Sequence, residues 1–90
     1  MEIRFYRDID SGLAHCYSGH GIREQEVIEV LRRPARRFRG PDGTLSAEGQ
    51  TEAGRYLRVI YREYRQQNYI FVITAYDLGP KAKRALRRRK

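Results

Sequence analysis

Tyr56-Leu57-Arg58-Val59-Ile60-Tyr61 and Tyr69-Ile70-Phe71-Val72-Ile73-Thr74-Ala75-Tyr76, joined by the polar stretch from Arg62 to Asn68, decide the fold. Both runs are rich in β-branched and aromatic residues, which fit a pleated surface, and the short polar link lets them pair as an antiparallel hairpin. Alternation puts Tyr56, Arg58, Ile60 and Arg62 on one face of the first run, and Tyr76, Thr74 and Val72 on one face of the second. Ile70 to Ile73 is apolar on both faces, which predicts a central strand covered on both sides.

Upstream of the hairpin, Ile3-Arg4-Phe5-Tyr6 alternates as a first strand should, and Asp8, Asp10, Ser11 and Gly12 break it. Leu13, Cys16 and Tyr17 fall at i, i+3 and i+4, predicting a short helical turn with one apolar stripe, and Gly19 and Gly21 bracket His20 in a flexible corner. The clearest helix runs from about Arg23 to Arg33. Ile22, Val27, Val30 and Leu31 line one of its faces, acidic residues fill the first turn and arginines the last, and Pro34 ends it. The segment from Arg36 to Gly49, with its Pro41-Asp42-Gly43 turn, reads either as a hairpin or as a mobile loop. Downstream, Leu78, Gly79 and Pro80 close the last strand, and Lys81 to Lys90 forms a basic segment able to make about three helical turns. The expected class is therefore α+β. One domain over residues 1–90 carries a small antiparallel sheet of about four strands, one or two N-terminal helices packed on it, and a basic C-terminal helix.

Charge narrows the function. The formal net charge is +8 over 90 residues, and all but three of the nineteen basic side chains are arginine. Residues 1–45 hold eight basic against seven acidic groups, whereas residues 46–90 hold eleven against four, so the excess sits in the second half. Guanidinium forks onto phosphate oxygens and stacks on bases, so this distribution predicts binding to nucleic acid, RNA first. Cys16 is the only cysteine, which excludes a disulfide framework and a zinc finger built from this chain alone. With no apolar leader and no run long enough for a membrane span, a cytoplasmic protein is expected. The small core predicts a homodimer or a heterocomplex.

His20-Gly21-Ile22, followed by an acidic helix ending in Leu31-Arg32-Arg33-Pro34, resembles the corner and helix of the BrnT family of toxins, within the wider RelE/ParE superfamily. Gly54-Arg55-Tyr56-Leu57-Arg58-Val59-Ile60-Tyr61 is similar to that family's glycine-arginine strand, and Val72-Ile73-Thr74-Ala75-Tyr76 with its basic tail to the closing strand and tail. The chain departs from the pattern at Arg23, where many relatives carry a capping Ser or Thr, and at Tyr76, where an arginine is common. The resemblance implies a metal-independent ribonuclease toxin, or in ParE-like branches a topoisomerase poison, held inactive by a small acidic antitoxin.

Ribonuclease chemistry without a metal needs a base for the 2′-hydroxyl proton, an acid for the leaving 5′-oxygen and cations for the phosphorane. His20 is the first acid/base candidate, with His15 in reserve; a histidine beside a helix start also serves simply to bond a backbone group. Arg55 and Arg58 are candidates to hold the scissile phosphate. The Tyr76 phenol either positions a phosphate or acts as a weak acid, the alternative being burial with its hydroxyl satisfied. Arg62, and Lys83, Arg84, Arg87 and Arg88 on one broad helical face, are candidate phosphate contacts, although ordinary exposed strand residues or a frayed basic tail fit the same pattern. No His/Asp/Glu spacing points to a metal, Asp8 and Asp10 read as turn residues, and no cofactor is expected. A non-catalytic nucleic-acid-binding module remains the competing function.

Overall fold

In a computed structural model that describes residues 1–88, alternation and turn chemistry produce five strands and three helices. In chain order they are β1 (Glu2–Phe5), α1 (His15–His20), α2 (Glu24–Arg32), β2 (Arg36–Arg39), β3 (Leu45–Gln50), β4 (Tyr56–Tyr64), β5 (Tyr69–Asp77) and α3 (Pro80–Arg87). The β4–β5 hairpin turns at Asn68, whose φ of 60° lies in the left-handed region that asparagine tolerates. The strands form one sheet in the order β1-β5-β4-β3-β2, antiparallel throughout except that β1 runs parallel to β5. The α+β class expected from sequence holds. The sheet has one strand more than expected, because the segment from Arg36 to Gly49 takes the hairpin alternative, closed by a single 3-10 turn over Pro41–Gly43.

Two details correct the sequence reading. The central strand is β4, not the run Ile70–Ile73; β5 lies second from the edge, with Val72 buried and its neighbours half-buried. The ladder between β4 and β5 also shifts register, pairing Ile60 with Thr74 but Tyr61 with Val72, so that Ile73 is the extra residue. A bulge of this kind reverses the side-chain alternation across it. Tyr76 and Thr74 therefore lie on the Arg58 face, while Val72 turns to the opposite face and is 1% exposed.

That opposite face is the core. Leu57, Val59 and Tyr61 of β4 and Ala47 of β3 pack beneath Val27 and Val30 of α2, with Cys16 and Ile22 from the α1 corner. At Gly49 α2 and the segment after it come close to the sheet, since a Cβ there would lie 3.3 Å from Val30 Cγ1 and 3.4 Å from the Arg33 carbonyl. The expected stripe of Leu13, Cys16 and Tyr17 divides. α1 begins only at His15, so Cys16 faces inward while Leu13 and Tyr17 are 46% and 48% exposed. α1 ends in Gly21 at φ 68°, whose N–H bonds the Tyr17 carbonyl, and the Ile22 N–H reaches back to the Cys16 carbonyl. This left-handed cap buries Ile22 and sets His20 at the corner. Arg23 has no side-chain acceptor for the start of α2, and the Glu26 carboxylate supplies the other half of a capping box by accepting the Arg23 N–H at 3.0 Å.

Candidate functional site

β1 pairs only with Tyr69 to Val72, so the C-terminal half of β5 runs on without it, and α1 packs beside β5 instead. This placement brings the His20 ring to 6.0 Å from the Tyr76 ring, centroid to centroid. On the next strand Arg58 is the ladder partner of Tyr76, and its Nη1 donates to the phenol oxygen at 3.4 Å. On the following strand Glu48 is the ladder partner of Arg58, and its carboxylate accepts from Arg58 Nε at 2.7 Å and faces Arg36 Nε at 3.4 Å. His20, Tyr76, Arg58, Glu48 and Arg36 thus form one row across the face of the sheet opposite the core.

The electrostatics of the row favour an anion. The Glu48 side chain is only 3% exposed, and two guanidinium groups meet this one carboxylate, leaving a net positive charge beside the Tyr76 hydroxyl. Burial works against the Arg58 charge, but hydrogen bonds to Tyr76 and Glu48 outweigh it and hold the guanidinium firmly protonated. The Phe38 ring lies 4.5 Å from the Arg36 guanidinium carbon and 5.4 Å from that of Arg58, an aromatic surface next to paired cations of the kind on which bases stack.

α3 closes one side of the row. Ala82, Ala85 and Leu86 border a cavity of about 120 Å³ with Arg36, Glu48 and Arg58. Lys83 and Arg87 lie over the Tyr56 ring at 5.3 and 5.7 Å, while Arg84 and Arg88 are exposed. The basic segment's last two residues, 89 and 90, fall outside the described residues.

Of the residues singled out from sequence, His20, Arg58 and Tyr76 come together, with Lys83 and Arg87 at the border. Arg55 and Arg62 do not join them. Arg55 forks onto Asp77 through Nε at 2.7 Å and Nη2 at 2.9 Å, and its Nη1 reaches the Gly21 carbonyl and Glu26 at 3.2 and 3.3 Å. It fastens the His20 corner and the start of α2 to the end of β5, and the same fork holds the Asp77 carboxyl below the usual carboxylate range. Arg62 is tied to the Asp42 carbonyl of the 3-10 turn. Sequence reasoning missed Glu48, because its role depends on a β3 register that no motif announces. Burial pushes the Cys16 thiol up, which keeps it an inert core group rather than a nucleophile.

Among the described residues, no three His, Cys, Asp or Glu side chains gather as metal ligands would, and no helix is long and apolar enough to cross a membrane. The chain matches no protein-family model and no curated protein.

Proposed function

We propose that the chain is a metal-independent ribonuclease toxin of the BrnT-like kind, acting on RNA in the cytoplasm and held in check by a small acidic antitoxin. The observation that carries this reading is the row His20, Tyr76, Arg58, which sets a proton carrier, a phenol and a guanidinium side by side on the sheet face opposite the core. In this assignment the phosphate lies against Arg58 and Tyr76, His20 exchanges protons with the reacting oxygens, and a base rests on Phe38. Lys83, Arg84, Arg87 and Arg88 grip the flanking backbone and offer the acidic antitoxin its counter-surface. Arg55 is assigned to positioning the corner rather than to touching RNA.

A non-catalytic nucleic-acid-binding module is the second reading, and the pairing of Arg58 with Glu48 favours it, since a guanidinium so held already has an anion. Incubating total RNA with the purified chain in excess EDTA separates the two. Under the first reading RNA is cut, and Arg58→Ala and His20→Ala each slow cutting by about 100-fold or more. Intact RNA, free or ribosome-bound, with binding retained, establishes the second.

A further inference from the structure

The loop between β1 and α1 holds an acid, and the first residue of α1 an imidazole, that the reaction above does not use. Asp8 Oδ1 lies 3.1 Å from His15 Nδ1, and the Ser18 hydroxyl donates to the other carboxylate oxygen. The backbone fixes the acid in place, with the Gly12 N–H donating to the Asp8 carbonyl at 2.8 Å and the Asp8 N–H to the Leu13 carbonyl at 2.9 Å. Asp8 is thus more than a turn residue. Hydrogen bonds from Ser18 and His15 hold its carboxyl below the ordinary range, so it faces the imidazole as an anion.

An anionic acceptor at Nδ1 places the proton of a neutral ring there and leaves Nε2 with its lone pair. Ser18 donates to the acid and not to the ring, so it orients Asp8 and is no nucleophile. The His15 ring stands 5.9 Å from the His20 ring, edge to face, continuing the row toward Tyr6. Among the described residues Nε2 has no hydrogen-bond partner, and the residue beside it is Gly19, where a Cβ would press within 3.4 Å of Nε2. A side chain there would crowd Cε1 and Nε2 together, and the His15 side chain as it stands is 38% exposed.

We propose that Asp8 and His15 form the second proton-transfer unit of this site, with His15 Nε2 as general base and His20 as general acid. The inference rests on the ribonuclease reading above. The 2′-hydroxyl proton passes to His15 Nε2 as the O2′–P bond forms. The P–O5′ bond breaks as His20 gives its proton to O5′, leaving a 2′,3′-cyclic phosphate and a 5′-hydroxyl.

The test joins cleavage rates to nitrogen NMR of the imidazoles in the full chain, with thermal melts confirming that each variant is folded. Expected are an Nδ1-protonated His15 that loses this preference in Asp8→Asn, a loss of about 100-fold or more in His15→Ala, and partial rescue of that variant by imidazole in the buffer. A loss of about tenfold or more is expected in Asp8→Asn. Unchanged cleavage in both variants, no rescue by imidazole, or a resting His15 with its proton on Nε2 overturns the inference and leaves the ribonuclease reading standing. Absence of cleavage by the wild-type chain overturns the ribonuclease reading, and this role with it.

Discussion

The Arg55 guanidinium joins three parts of the chain, through Asp77, Glu26 and the Gly21 carbonyl. Charge-assisted hydrogen bonds of this kind contribute about 2 kcal/mol when partly shielded, so Arg55→Ala is expected to lower unfolding free energy by about that amount in urea titrations. A pH signature accompanies the loss. Because Asp77 has a depressed folded pKa, its stabilisation is complete above its ordinary value of about 3.9 and disappears as pH falls through the lower folded value. Wild-type stability should therefore fall below about pH 4, and Arg55→Ala or Asp77→Asn should flatten part of that fall. Asp8 and Glu29 are held low by Ser18 and by the Glu52 N–H respectively, so the rest of the acid limb should persist.

At the scale of elements, α2 starts with an incomplete cap. Arg23 already has the extended backbone of a cap residue, at φ −77° and ψ 151°, and Glu26 already supplies the return hydrogen bond. Arg23→Ser should complete the box and raise stability by about 0.5–1 kcal/mol, visible as a higher melting temperature; an unchanged or lower one would contradict this cap. This weak start was readable from sequence, as were the β4–β5 hairpin and the place of His20, because each depends on local residue chemistry. The β2–β3 hairpin stayed open between two readings, since its strand Arg36-Arg37-Phe38-Arg39 has a single large apolar residue and takes its register from β3. The face of Val72 was misread, because a one-residue bulge at Ile73 leaves no mark in an apolar run. His20, Arg58 and Tyr76 were found from residue type; Glu48 and the Asp8–His15 pair needed the tertiary register.

Across the whole molecule, the excess charge divides into paired and unpaired groups. Arg36, Arg55 and Arg58 are committed to carboxylates, while Arg84 on α3 and Arg88 just past its end are exposed and Lys83 and Arg87 flank Tyr56. General affinity for a single strand should therefore draw on α3. Binding to a 2′-O-methyl RNA should weaken linearly on a log scale with salt, and each α3 cation replaced by alanine should reduce the slope by about 0.7. A slope unchanged in the Lys83, Arg84, Arg87 triple variant would place the grip elsewhere.

Under the proposed function, the His20–Tyr76–Arg58 row transfers phosphorus from O5′ to a neighbouring 2′-oxygen. The most direct measurement is single-turnover cleavage, in EDTA, of an RNA and of its twin carrying one 2′-deoxy nucleotide at the cut site, with both fragment ends identified. The expected result is a cut in the RNA alone, leaving a 2′,3′-cyclic phosphate and a 5′-hydroxyl. Equal cutting of both strands, or of neither, would contradict it.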